Sequence, residues 1–356
     1  MINNKGKKIF FKYIIKICFL LIIYLIIKIN IKKKKIGVIG VRHCFNIGAN
    51  LLKYAMSIKL SEYGFEPFII GTHYKNYDIS FLQRTTNLII IKNNFSEIKK
   101  YNFDILMVNS DQTWRKFDKF FYDYAFLNFA KNWKIPKFIY GASLGYNYWT
   151  LNKEDEKVSK KLLKNFKGIS VREKGTIKLI HQHLGIKPDF VLDPTLLIDK
   201  KYYLRLIKVI KNKNDFKQNY IFIYSLHKTK NMMKYIDIAS KVLGYNIYNI
   251  KKNRKNSIEK FIYGIFNCKA VITNSYHGTI FSIIFNKPFV TFIFNGSPKE
   301  RFLSLKDLLK IDNRFIEYNK IPNIDLLTKP LNINYTLLNL LRIHSNKYLK
   351  KNLKLN

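Results

Sequence analysis

The chain has 356 residues, of which 47% are hydrophobic and 24% are charged. This length and composition fit two folded domains with a buried core, so a small disulfide-stapled module and a largely disordered chain are both excluded. The three cysteines, at positions 18, 44 and 268, form no Cys-x-x-Cys pair, which argues against a disulfide framework and a cysteine zinc site. A reducing compartment fits best.

The formal net charge is +41, a value that normally suggests a polyanionic partner. The basic residues are 55 Lys and 9 Arg, and the lysines are scattered from Lys5 to Lys354. An A+T-rich genome produces the same excess of Lys, together with the excess of Asn, Ile, Tyr and Phe. Because groove and phosphate recognition favours clustered arginines, we expect no nucleic-acid partner.

An apolar stretch over residues 9–31 precedes the first predicted strand. Its uncharged part, residues 17–27, is short for a transmembrane helix, but lysines such as Lys16 and Lys28 can snorkel to the headgroups. A single span and an interfacial helix both fit, whereas a cleaved signal peptide is disfavoured because no small-residue cleavage site follows. We therefore predict a membrane anchor with a basic flank over residues 1–35 and a membrane-associated protein. The lysines on the two sides of the apolar run are nearly balanced in number, and the positive-inside rule favours a cytoplasmic globular part.

From residue 36 onward, short β-branched runs alternate with segments of helical period, as in βαβ units with parallel sheets. The first series of predicted strands covers 36–41, 67–70, 87–91, 103–108, 137–142, 168–171 and 190–192. A helix over 49–63 follows the first strand and ends at Gly64.

A second series follows the polar run over residues 208–219. Its predicted strands cover 220–224, 245–250, 270–273 and 289–294, and its helices cover 230–243, 257–266 and 278–285. We therefore predict an α/β fold with two Rossmann-like domains, residues 36–200 and 201–330, and a cleft between them. Residues 331–356 are predicted to form a C-terminal helix with a basic tail.

Ligands of open α/β sheets bind beyond the carboxyl ends of strands, so the segments that follow the predicted strands are the candidate site. The first, residues 40–48, lacks both the G-x-G-x-x-G fingerprint and a phosphate loop, which argues against a nicotinamide enzyme and a P-loop NTPase. Asn46 and Gly48 either orient a ligand or form an N-cap region.

The second segment, residues 109–114, offers Asp111 and Gln112 as hydrogen-bonding groups for a hydroxyl-rich ligand and Trp114 as a stacking platform. An Asx turn at Asp111 and Gln112 is the alternative.

In the third segment, Arg172 is a candidate anion clamp because its planar fork matches a carboxylate or phosphate. A surface pair with Glu173 is the alternative.

The fourth segment surrounds the start of the helix predicted over 278–285. Ser275, Gly278 and Thr279 lie where unpaired N–H groups and the helix dipole favour a phosphate, and His277 is a candidate general acid or base. A simple helix cap is the alternative.

His181 and His183 have no third ligand nearby and there is no Asp-x-Asp sequence, so we expect no metal site.

Taken in order, these segments resemble the polysaccharide pyruvyl transferase family. The matching segments are Asn46-Ile-Gly-Ala49, Asn109-Ser-Asp-Gln-Thr-Trp114, Ala142-Ser-Leu-Gly145, Ile169-Ser-Val-Arg-Glu173, Val191-Leu-Asp-Pro194, Thr273-Asn-Ser-Tyr-His-Gly278 and Lys287-Pro-Phe289. The resemblance implies a GT-B-like fold and transfer of a pyruvyl group from phosphoenolpyruvate to a sugar of a cell-surface polysaccharide, as in exopolysaccharide biosynthesis, to form a ketal. Arg172 matches a family arginine implicated in donor binding, and His277 matches the family histidine. Ser275 departs from the pattern, because several members carry Arg there.

Such an enzyme must bind a carboxylate and a phosphate and supply an acid. We therefore expect His277 to transfer the proton, Asp111 to orient the acceptor hydroxyl, and the other candidates to bind donor or acceptor. The donor set is Arg172, Ser275, Gly278 and Thr279, and the acceptor set is Asn46, Gly48, Gln112 and Trp114.

The scheme requires no metal and no organic cofactor. Its expected partners are phosphoenolpyruvate, a polysaccharide or lipid-linked sugar acceptor, and the membrane through residues 9–31. Two alternatives stay open: a GT-B-type glycosyltransferase that uses a nucleotide sugar, and a non-enzymatic, membrane-tethered polysaccharide assembly protein.

Overall fold

The computed structural model describes residues 33–40, 46–72, 79–92, 94–116, 118–210, 219–250, 257–294, 299–317 and 319–355, with isolated positions 14, 16 and 19. The strands are β1 (Lys35–Ile39), β2 (Glu66–Thr72), β3 (Asn87–Ile91), β4 (Ile105–Val108), β5 (Lys137–Ala142), β6 (Gly168–Val171), β7 (Asp189–Phe190), β8 (Tyr220–Tyr224), β9 (Asn246–Asn249), β10 (Ala270–Thr273), β11 (Phe289–Ile293) and β12 (Phe315–Glu317).

The helices are α1 (Ile47–Glu62), α2 (Ser80–Thr85), α3 (Phe121–Phe126), α4 (Lys153–Leu163), α5 (Lys174–Leu184), α6 (Lys200–Leu206), α7 (Lys230–Leu243), α8 (Ser257–Asn267), α9 (Tyr276–Ile284), α10 (Glu300–Leu309) and α11 (Tyr335–Leu353). Short 3₁₀ turns cover Phe95–Tyr101, Asn128–Ala130, Pro194–Leu196, Ile207–Val209, Asp312–Arg314 and Ile324–Leu327.

The strands form two parallel sheets. In the described residues, the first sheet has the order β3-β2-β1-β4-β5-β6-β7 and the second has the order β12-β11-β10-β8-β9. The predicted α/β class with parallel sheets is thus confirmed. The edge strand β12 was not predicted, because two half-exposed residues followed by an exposed glutamate give no clear hydrophobic pattern.

Each sheet has a point where the strand order reverses direction. The chain winds outward from β1 to β3 and then returns to place β4 on the other side of β1, and β8 has β9 and β10 on its two sides in the same way. Loops that leave such neighbouring strands diverge and open a crevice at the carboxyl edge of the sheet. The candidate segments after β4 and β10 lie at these two switch points.

The two sheets and their helices share one apolar cluster. It contains Leu51 on α1, Tyr203 on α6 and Phe281 on α9, all fully buried, and the rings of Tyr203 and Phe281 lie 4.8 Å apart. The contact between the domains is therefore continuous with the core.

The C-terminal helix α11 returns to the first domain. Its Tyr348 hydroxyl donates to the carbonyl of Ile139 on β5 at 2.6 Å, and its Ser345 hydroxyl accepts from the Leu192 amide at 2.9 Å. The helix therefore packs on the first sheet, although it follows the second in the chain.

The predicted anchor at residues 9–31 lies outside the described residues, apart from the three isolated positions. Within the described parts of the chain, no helix combines the length and the apolar character needed to cross a membrane.

Candidate active site

A buried guanidinium group holds the candidate site together. In Arg172, Nη1 donates to Asp193 at 2.7 Å, and Nη2 and Nε donate to Asp111 and Glu173, each at 3.3 Å. Burial would lower the pKa of Arg172, but the three carboxylates raise it above its ordinary value. Arg172 therefore stays charged and fixes Asp111 in place.

This arrangement bears on both interpretations of Arg172. Its side chain is 0% exposed and each of its three nitrogens contacts a carboxylate of the protein, so the role of an anion clamp for the donor stays a prediction. The alternative, a pair with Glu173, does form, but it is buried rather than on the surface. Burial raises the pKa of Glu173 against the opposing charge of Arg172.

His277 enters this cluster from the second domain. It is 3% exposed, and its Nε2 lies 3.8 Å from Asp193 Oδ2, too far for a hydrogen bond. Nε2 is buried and has no hydrogen-bond partner among the described residues. Burial lowers the pKa of His277 to about 4, with Arg172 adding to this effect and Asp193 opposing it. The imidazole is therefore neutral at pH 7, and its buried Nε2 is left without a hydrogen-bond partner among the described residues.

Gly48 sets the position of the His277 ring from the first domain. A Cβ atom at residue 48 would lie 1.9 Å from His277 Nδ1, so only glycine leaves room for the ring. The amide of Gly48 donates to Asn46 Oδ1 at 2.8 Å, which makes Asn46 the N-cap of α1. The structure thus uses Asn46 as a cap, the alternative weighed for it, and Gly48 as a packing partner of the histidine.

Asp111 is the member of the cluster that reaches solvent. Its side chain is 23% exposed and its φ of 128° is in the region that favours glycine, a strain of about 1–3 kcal/mol that is typical of functional sites. Burial would raise the pKa of Asp111, but Arg172 and Arg301 lower it overall, so the carboxylate is ionised at neutral pH. It is a ready acceptor for a hydrogen bond from a ligand hydroxyl.

The residues around Asp111 are used within the protein. The predicted turn is present, since the amides of Gln112 and Thr113 donate to Asp111 Oδ1 and to its carbonyl at 2.9 and 2.7 Å. Gln112 Oε1 accepts from Arg115 at 3.2 Å. Trp114 is 1% exposed and packs 5.7 Å from the ring of Phe126, so the predicted stacking platform for an acceptor is wrong.

The start of α9 also differs from the prediction. Ser275 is its N-cap, and its hydroxyl accepts from the Gly278 amide at 3.4 Å. Thr279 is fully buried and bonds to the Ser275 carbonyl and to Thr291. A Cβ atom at Gly278 would lie 2.3 Å from Thr273 Oγ1, which explains the glycine. Ser275, Gly278 and Thr279 therefore stabilise the helix start, the alternative interpretation of this segment. Their amides donate to Thr273 Oγ1, Ser275 Oγ and the Ser275 carbonyl, and donor binding by these residues stays a prediction.

Three further residues complete the site without having been assigned a role from the sequence. The carboxylate of Asp193 accepts from Arg172, and the ring of Tyr276 lies 5.3 Å from the Arg172 guanidinium and 5.2 Å from that of Arg301. Asp193 and Tyr276 lie in the Val191-Leu-Asp-Pro194 and Thr273–Gly278 motifs, so the motifs themselves were the available signal. Arg301 lies inside α10 and had no such signal.

The described residues hold no group of three or more His, Cys, Asp or Glu side chains that is placed to bind a metal ion. His183 contacts Glu156 at 2.9 Å and stacks on Trp149 at 4.5 Å, so its neighbours are structural.

The family model of polysaccharide pyruvyl transferases matches residues 46–295, which include the cluster from Gly48 to His277. The chain belongs to this family. The resemblance found in the sequence is thereby confirmed, and with it the assignment of the chain as a transferase. A comparison with curated proteins gave no match.

Solved structures similar to this polysaccharide pyruvyl transferase family member have low sequence identity to it. Anabaena Alr3699/HepE in complex with UDP-glucose has a TM-score of 0.53 at 9% identity, covering 90% of this chain and 100% of that one. Arabidopsis thaliana UGT89C1, complexed with UDP-L-rhamnose, has a TM-score of 0.52 at 9% identity, with 90% and 98% covered. A glycosyltransferase from Rickettsia africae has a TM-score of 0.50 at 13% identity, with 91% and 97% covered. These similarities support the predicted GT-B-like fold.

Proposed function

We propose that this family member transfers the pyruvyl group of phosphoenolpyruvate to two hydroxyls of one sugar, in a cell-surface polysaccharide or its lipid-linked precursor. The observation that carries this proposal is the meeting of His277 and Asp111 from the two switch points. One offers a buried ring nitrogen without a partner, and the other offers an ionised carboxylate at the solvent edge.

The donor chemistry assigns a role to each group. Protonation of the methylene carbon of phosphoenolpyruvate makes C2 electrophilic, and one sugar hydroxyl adds to C2 and loses its proton. Departure of inorganic phosphate and addition of a second hydroxyl then close the ketal. In our proposal Asp111 accepts the hydrogen bond of the incoming hydroxyl, and His277 delivers the proton to the methylene carbon.

The low pKa of His277 fits this role if the donor itself changes it. In the free protein the imidazole is neutral at pH 7, since burial and Arg172 disfavour its charged form. A polyanionic donor beside Nε2 favours the imidazolium by Coulomb attraction, which is strong at a site that excludes water. The histidine thus becomes protonated only when the donor is bound. In the free protein it therefore holds no acidic proton that could be lost to water.

The proposal is tested by incubation with phosphoenolpyruvate and polysaccharide precursors of the host, followed by phosphate release and product mass. Formation of a ketal with one equivalent of phosphate supports it. His277→Ala should lower turnover by a factor of about 10² or more. His181→Ala is the matched control, because His181 is exposed on α5. A parallel incubation with UDP-glucose covers the glycosyltransferase alternative, and hexose transfer there would overturn the proposed donor.

We also propose that residues 9–31 attach the enzyme to the cytoplasmic face of a membrane. The support is the apolar run flanked by lysines in the sequence. Recovery of the full-length chain in the soluble fraction without detergent would refute this proposal, and it would leave the transferase activity untouched.

A further inference from the structure

Arg301 is a cation at the candidate site that forms no salt bridge within the described residues. Its Nε is buried without a hydrogen-bond partner, and its contacts within the described residues are to the rings of Tyr276 and Phe302, at 5.2 and 5.4 Å. No carboxylate of the described chain forms an ion pair with it. Arg172, near the same Tyr276 ring, faces three carboxylates. The two arginines therefore differ in what they can offer a ligand.

The position of Arg301 is fixed by contacts between the domains. Next to it on α10, Glu300 accepts from the amide of Gly175 at 3.0 Å, and Ser304 accepts from the amide of Lys174 at 3.0 Å. A Cβ atom at Gly175 would lie 2.3 Å from Glu300 Oε1, so the fit is close. These bonds hold α10 against the start of α5, and α5 begins directly after Arg172 and Glu173.

Arg301 is half-buried, in an environment that disfavours its charge. Burial and the charge of Arg172 lower the pKa of Arg301, and the charges of Asp111 and Glu173 oppose this shift. Partial removal of a cation from water without a salt bridge destabilises a protein, and an oxyanion that makes a bidentate contact with the fork offsets that cost. The unpartnered Nε2 of His277, in the same cluster, is a second group that points to a ligand.

We propose that Arg301 binds the phosphate group of the donor, in the space that it shares with His277. This inference rests on the proposed donor and deepens it: the anion contact expected at Arg172 is assigned to the second domain instead. Arg172 then acts as a positioning residue, because it orients Asp111 and compensates the buried carboxylates. Arg301 lies just beyond the region that the family model matches.

The test is a titration of the full-length protein with phosphoenolpyruvate by calorimetry. Arg301→Gln should weaken binding about 10- to 100-fold, and Arg301→Lys should weaken it less because it keeps the charge and loses the fork. Arg205→Gln is the matched control, since Arg205 is exposed and also stacks on a tyrosine, Tyr202 at 5.0 Å. Its affinity should equal that of the wild type.

Competition identifies the group that Arg301 holds. Inorganic phosphate should compete with phosphoenolpyruvate in the wild type and lose this effect in Arg301→Gln, whereas competition by pyruvate should persist. Loss of pyruvate competition alone would overturn the assignment to phosphate.

Two negative results are distinguishable. Wild-type affinity in a folded Arg301→Gln protein, with ketal formation intact, would overturn the inference and leave the proposed function standing. Absence of phosphoenolpyruvate binding and turnover in the wild type would overturn both. If Arg301→Gln melts early, the same comparison is made with Arg301→Lys, and unchanged phosphate competition there would overturn the inference.

Discussion

The contact between Gly48 and His277 gives a sharp test of the site. In Gly48→Ala the new Cβ atom would lie 1.9 Å from Nδ1 and 2.3 Å from Cγ of His277, where ordinary contact begins near 3.4 Å. The ring must therefore move by about 1.5 Å, the difference between contact distance and the available space. The backbone does not oppose the substitution, because Gly48 lies in the first turn of α1 and its φ is outside the positive range.

The expected loss is mainly one of turnover. A displacement of about 1 Å in a group that transfers a proton costs about 10²-fold in rate, so we expect Gly48→Ala to lose at least that factor in kcat. Overpacking a buried site costs about 1–3 kcal/mol of stability. The better helix propensity of alanine offsets about 1 kcal/mol of that cost. The variant should therefore fold.

The assay is single-turnover formation of the ketal product, with thermal unfolding as the check on folding. Gly40→Ala is the matched control, since its Cβ atom would meet Asn109 at an ordinary 3.9 Å. In a His277→Ala background, Gly48→Ala should cause no further loss, because the two substitutions act on one group. Wild-type turnover in a folded Gly48→Ala protein would show that the position of the imidazole does not matter for the reaction.

Three further predictions concern pH, core packing and the C-terminal helix. The pKa of His277 is about 4 in the folded protein and about 6.5 when unfolded, so the unfolded chain gains a proton between these values. Stability should therefore fall by about 3 kcal/mol as pH falls from 7 to 4, and His277→Gln should lack this part of the loss in urea unfolding at each pH. Trp114→Phe should lower stability and leave the KM of the acceptor unchanged, because Trp114 packs in the core; a raised KM with unchanged stability would restore the stacking role. Tyr348→Phe should lose about 1 kcal/mol through the missing bond to Ile139, and an unchanged midpoint of denaturation would contradict the docking of α11.

The strands and the switch points were predictable from local patterns. The buried strand Ala270–Thr273 is a continuous apolar or β-branched segment, and Lys137–Ala142 is apolar after its first residue. The structure has both strands where the sequence places them. The rule that ligands bind beyond strand ends then selected Asp111, Arg172 and His277, and these side chains do lie in one cluster.

The roles within the cluster were less accessible. A local sequence pattern does not determine the orientation of a side chain in the loop after a strand. Trp114 was therefore expected to face a ligand, whereas it lies in the core. Long-range packing decides which cation forms salt bridges: Arg172 contacts three carboxylates, whereas Arg301 forms no salt bridge within the described residues and its Nε has no hydrogen-bond partner there. Both outcomes depend on long-range packing, which no local motif records.

The return of α11 to the first sheet makes the second domain an insertion within the first. The polypeptide leaves the first domain after α6 and rejoins it at α11, so two separate segments of the chain connect the two domains. A domain movement that opens the site must bend both connecting segments together. This favours a hinge rotation of one domain about the line through the two segments over an unrestricted change of orientation. A fragment that ends before residue 335 would lose the partners of Ile139 and Leu192 and so weaken the first domain, although the missing residues follow the second. For the same reason, a reporter fused to the C-terminus would move with the first domain.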